Sequence, residues 1–196
     1  WSAGLSTDTS TPPEFSFYRG TSQASPHVAG AAALLKVLHP DWTPAEIESA
    51  LMMTAVSAVT YYNDTPLDAF DMGSGRIDLT AVSRTGFVMD ETVNNFRAAN
   101  PIFGNDLSQL NLASLTDANC ATTCTWTREL RSTLDTPTSW NIDITQPVTA
   151  VLSVEPTHFT LQPGSTQLIT VTAVADNLPL DTWNFGTLHL SENTDK

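Results

Sequence analysis

A helical segment followed by an all-β sandwich, as two domains or parts of two, is the architecture that this sequence predicts. Residues 24–38 are small or apolar on every helical face. From Leu107 onward, short alternating segments recur between turn residues, about seven of them, as in a β-sandwich. The pattern changes between Arg84 and Leu107, and 196 residues are enough to bury a real core.

The first element, Ala24 to Leu38, is predicted to be a helix buried all round, the spine of a larger core. Thr43-Pro44-Ala45-Glu46 then combines an N-cap hydroxyl, Pro at the first helical position and Glu at the third, a capping box opening a helix that runs to about Thr54. Gly73-Ser74-Gly75 permits the positive φ of a tight turn, and Asp78 caps a third short helix, Leu79 to Ser83. Asp90 to Asp106 is polar and aperiodic and reads as linker. The predicted strands are Gln109–Leu115, Thr123–Ser132, Thr138–Thr145, Ala150–Val154, Phe159–Leu161, Gln167–Ala175 and Asn184–Leu190. Leu168 to Val174 alternates cleanly after the Pro163-Gly164 turn, and Trp126 and Trp140 belong to the sandwich core by the same alternation. The chain stops at Lys196 soon after what reads as a penultimate strand, so a missing last strand and an open sheet edge are expected.

Composition narrows the function. Eight basic against 21 acidic side chains give a formal charge of -13, which excludes a phosphate-gripping surface and with it a nucleic-acid partner. Charged residues make up 15% against the usual ~25%, the profile of a secreted surface. The longest apolar run, Val28 to Leu35, is far too short to cross a bilayer. Trp1 is preceded by no Met and no signal segment, so the numbering is expected to begin mid-protein. Acids and bases number nine and four in residues 1–88, twelve and four after; with no spaced Asp-x-Asp-x-Asp loop, the acids read as solvated surface and not as a calcium site.

Chemistry concentrates in Gly20-Thr21-Ser22-Gln23-Ala24-Ser25-Pro26-His27-Val28-Ala29-Gly30. This segment resembles the nucleophile motif of the subtilisin-like serine proteases, which implies that Ser22 attacks the scissile carbonyl, with Gly20 and Thr21 as supporting motif residues. Elementary physics agrees: Gly20 allows a sharp turn, and the unpaired N–H groups and positive dipole end of a helix starting at Ser22 face an oxygen that becomes an anion. The Ser22 N–H is a natural oxyanion donor. A Ser22 that only caps its helix is the competing structural reading. The resemblance extends through Pro40 to Thr54, which looks like the following helix of the family, and Met72 to Asp78, which looks like its closing glycine turn. Trp1-Ser2-Ala3 is similar to a segment of the larger subtilases with a C-terminal fibronectin-III-like domain, and Leu110–Leu115 and Thr125–Arg128 resemble the first strands of that domain. The implied organisation is the C-terminal part of an α/β subtilisin-like catalytic domain in residues 1–88, a linker in 89–106 and a fibronectin-III-like sandwich in 107–196.

The resemblance also implies what is lacking. The family's triad runs Asp, His, Ser along the chain, with an Asn side chain helping to hold the oxyanion. No His and no Asn precede Ser22, and Asp8, fourteen residues before it in a Ser/Thr/Pro-rich loop, is not assigned to the triad. His27 follows on the same helix, points to a different side and reads as a packed, hydrogen-bonded helix residue. A Ser hydroxyl without an adjacent base is a poor nucleophile, so these residues alone are expected to be inactive. The upstream part of the same catalytic domain would complete the site, in a longer chain or a nicked two-chain enzyme. Protein or peptide substrates are implied. No metal or organic cofactor is needed for the chemistry; structural calcium occurs in the family, but no position matches a transferable motif. Cys120 and Cys124 read as a local disulfide bracing the start of a strand, with two free thiols as the alternative. Zinc is not supported, because the pair lacks further ligands and His158 stands alone. The rival function is a noncatalytic scaffold or binding module built on a subtilase remnant, which the intact motif argues against.

Overall fold

The structure, a computed structural model, describes residues 2–3, 15–16, 20–57, 67–147, 150–176, 178–179 and 181–193. The chain divides into two compact units, Trp1–Asp41 and Trp42–Lys196. In the first unit, β1 (Ser2–Ala3) pairs antiparallel with β2 (Phe15–Ser16), Ser2 opposite Ser16. Helix α1 spans Thr21–Leu38, and His39 closes it by donating its N–H to the Leu35 carbonyl. The expectation that this helix is buried all round is corrected: only Ala31 and Leu35 are buried, while Leu34 and Val37 are 57% and 78% exposed. Among the described residues of its unit, the other regular elements are two strands of two residues each, which supply little apolar surface for a helix to bury.

The second unit opens with α2 (Pro44–Met53). Its capping box forms as predicted: Thr43 Oγ1 accepts from the Glu46 N–H, and the Glu46 carboxylate accepts from the Thr43 N–H at 2.9 Å. A four-residue helix α3 (Ala69–Met72) carries a second capping box, Asp68 with Asp71. Gly73 and Gly75 both take positive φ, and a Cβ on Gly75 would lie 2.2 Å from the Val56 carbonyl oxygen, so this turn requires glycine. Asp78 caps α4 (Leu79–Val82) by accepting from the Thr80 and Ala81 N–H groups.

Four strands form one antiparallel sheet: β3 (Phe87–Val88), β4 (Thr123–Ser132), β6 (Val151–Glu155) and β8 (Thr166–Val174), in the order β3-β4-β8-β6. The second sheet is β7-β5-β9, from β5 (Thr138–Thr145), β7 (His158–Leu161) and β9 (Thr187–Glu192). Alternation in β4 sends Cys124, Trp126, Arg128, Leu130 and Ser132 inward. Trp126 and Trp140 are core residues, as predicted, at 7% and 8% exposure, and the Trp140 ring meets Phe87 edge-on with centroids 4.9 Å apart. Among the described residues neither indole N–H has a hydrogen-bond partner.

Two predicted segments differ. Residues 89–106 are not featureless linker: Thr92 caps a short helix α5 (Val93–Ala98), and Asn100 caps a 3₁₀ turn at Pro101–Phe103. Gln109–Leu115 is not a strand, because other groups take its backbone. A 3₁₀ turn occupies Leu107–Gln109, and the inward-pointing Arg128 then donates to the carbonyls of Ser108, Leu112 and Ser114. The Asn111 side chain stands in for a strand neighbour, accepting from the Glu129 N–H at 2.8 Å and donating to the Glu129 carbonyl at 3.0 Å.

Helix α2 is tied to the first sheet. Glu46, 4% exposed, accepts from Arg131 Nε at 2.8 Å and from Arg131 Nη2. Ser49 Oγ accepts from the Met89 N–H at 2.9 Å while donating to the Glu46 carbonyl, and Thr43 Oγ1 donates to Asp90 Oδ1.

Candidate active site

Glycine at position 20 makes the local geometry around Ser22. Gly20 is the N-cap of α1 with φ 133°, a conformation that L side chains rarely adopt. The chain therefore turns sharply and enters the helix at Thr21. The first helical bonds run from the Gln23 and Ala24 N–H groups to the Gly20 carbonyl, both at 3.1 Å. The N–H groups of Thr21 and Ser22 precede those bonds and lie outside the helical ladder. Pro26, inside the helix, has no N–H to give to the Ser22 carbonyl four residues back. Both peptide groups of Ser22 thus stand outside the i→i−4 pattern. Gly20, Thr21 and Ser22 are all exposed. The arrangement offers a hydroxyl, N–H donors outside the helical ladder and the positive end of an 18-residue helix at one place.

The histidines have other partners. His27 Nδ1 donates to the Gln23 carbonyl at 2.5 Å, one turn back on the same helix. It is hydrogen-bonded as expected but exposed, which corrects the expectation that it is packed. His158 meets the Asn141 side chain at 2.8 Å, and His189 meets Thr145 Oγ1 at 3.2 Å. Asp8 lies outside the described residues. Among the described residues, no group of three or more His, Cys, Asp or Glu side chains could hold a metal ion, and no helix is long and apolar enough to cross a membrane. Cys120 and Cys124 form a disulfide with Cα atoms 5.7 Å apart, where β4 begins.

The perturbed ionisable groups all belong to the second unit. Burial pushes the Arg128 guanidinium down to about 10, partly offset by the Glu91 carboxylate, and the side chain remains cationic at neutral pH. Burial raises the Glu91 carboxyl, but hydrogen bonds from the Asn111 and Thr92 N–H groups and the Asn95 amide, with the charge of Arg128, hold it below its usual value. Such shifts often mark functional sites, yet here each group is spent on protein partners, and the set serves to dock residues 90–114 on β4. Sequence alternation did carry a signal: it places a cation, Arg128, on the core face between Trp126 and Leu130.

The sequence model of the subtilase family matches residues 2–106, more than half of the chain. The chain belongs to the subtilase family. A second family model, that of the fibronectin type-III domain, matches residues 109–196 of this subtilase. Subtilisin-like protease SBT2.3 of Arabidopsis thaliana is 31% identical over 99% of this chain and 27% of its own length. Subtilisin-like protease SBT2.5 of the same plant is 29% identical over 90% of this chain and 26% of its own length. Subtilisin-like protease SBT1.7 is 41% identical over 47% of this chain and 13% of its own length. The chain thus spans about a quarter of the length of the first two relatives.

Proposed function

We propose that this subtilase chain is the nucleophile-bearing part of a secreted serine endopeptidase that cleaves protein or peptide substrates. The observation that carries the reading is Ser22 at the exposed second position of α1, two residues after a positive-φ glycine, with its own N–H outside the helical ladder. In the reaction, Ser22 Oγ bonds to the scissile carbonyl carbon while its proton passes to an upstream His, which an upstream Asp orients. The carbonyl oxygen becomes an anion, held by the Ser22 N–H and an upstream Asn. The peptide C–N bond then breaks, the His returns the proton to the leaving amine, and water releases the acyl group. The chemistry needs no metal or organic cofactor. Structural calcium is assigned to no residue.

On this reading residues 1–88 are the end of the catalytic domain, 89–106 join it to the next, and 107–196 are the sandwich. The upstream part of the domain is an obligatory partner, and the 196 residues alone are inactive. Fluorophosphonate labelling with peptide mass spectrometry tests the proposal. A version that includes the upstream part should label stoichiometrically at Ser22, and its Ser22→Ala variant should not label there. Failure of that longer, folded protein to label at Ser22 would sink the reading.

A further inference from the structure

We propose that α2 and the β-sandwich are one cooperative folding unit, and that Arg131 is the residue by which the sandwich anchors this helix of the subtilase half. The inference holds whether or not Ser22 is a nucleophile, so the two can fail separately.

Three contacts, from β4 and from the stretch just past β3, converge on the N-cap and first two turns of α2. Arg131 on β4 donates twice to Glu46, Met89 just past β3 donates to Ser49, and Asp90 accepts from Thr43. The sheet in turn draws on chain outside the sandwich: β3 pairs with β4 with Phe87 opposite Ser132 and Val88 opposite Arg131. Arg131 is therefore held by the β3 register on one side while its guanidinium reaches α2 on the other. Glu46 belongs to two structures at once. One carboxylate oxygen completes the N-terminal capping box of α2, and the other receives Arg131. Whatever displaces Arg131 leaves a buried anion at the helix start.

The pair is asymmetric, and the asymmetry makes the proposal testable. The Glu46 side chain is 5% exposed and that of Arg131 36%. An orphaned Arg131 is solvated by water, whereas an orphaned Glu46 is not. Hydrogen exchange of the α2 and β4 amides, measured on the whole 196-residue chain, reads the coupling. Arg131→Met should speed exchange across Pro44–Met53 and across β4 together, by about a hundredfold. Glu46→Gln, which keeps a cap acceptor, should speed it less, by about tenfold. The double variant Glu46→Gln/Arg131→Met should recover most of the loss. If Arg131→Met does not fold, recovery of folding in the double variant supports the proposal. Exchange of α2 that is unchanged in Arg131→Met, or a double variant as impaired as Arg131→Met alone, would overturn it.

Discussion

Two helices of similar apolar character meet opposite fates in this chain. α1 buries two of its 18 residues and leaves Val28, Leu34, Val37 and Leu38 between 45% and 78% exposed. α2 buries five of its ten, including a Glu and a Ser that are each hydrogen-bonded. An apolar pattern states how much burial a helix needs, and neighbours decide whether it is met. α2 has its partners within Trp42–Lys196. Among the described residues of its own unit, α1, which carries Ser22, buries only Ala31 and Leu35.

Truncation of single side chains is the strongest way to break this contrast. Leu130→Ala, at a side chain with 0% exposure, should cost about 3–4 kcal/mol, read as a lowered denaturant midpoint. A loss below about 1 kcal/mol would mean that the sandwich core is not packed as described. Gly86→Ala comes next, because its Cβ would lie 2.3 Å from the Trp140 ring, which must move. About 2 kcal/mol is expected in thermal unfolding.

A smaller effect concerns the docked segment beside β4. The folded Glu91 carboxyl binds its proton less tightly than its usual value of 4.5, so its stabilisation is present above that value and lost as pH falls through the lowered one. Denaturation at a series of acid pH values should show this loss in the wild type and less of it in Glu91→Gln. Equal acid sensitivity would show that the Glu91 carboxylate adds no stability to the docked segment. Smallest of all, Leu34→Ala on α1 should change stability by under about 0.5 kcal/mol, since that side chain is 57% exposed. A cost like that of Leu130→Ala would erase the difference between the two helices.

The regular elements were legible because their signals are local. Thr43-Pro44-Ala45-Glu46 and Asp78 cap helices where the side-chain chemistry requires, and the alternation of Thr123–Ser132 and Thr138–Thr145 gives strands with those bounds. The rest depends on contacts distant in sequence. Residues 109–115 have strand-like alternation, yet Arg128 and Asn111 claim the backbone groups that a ladder would use. Glu46 reads locally as half of a capping box, and nothing near it announces Arg131, 85 residues on. The Gly20 turn and the placement of Ser22 behind it were readable because one glycine and one helix start determine them. No base for the Ser22 hydroxyl was readable, since the residues before it include no His.

Hydrogen exchange of the unmodified 196-residue chain tests the central contrast most directly. Slow exchange is expected in α2, β4 and β8 and fast exchange through Thr21–Leu38. Protection of α1 equal to that of β4 in the 196-residue chain alone would contradict it.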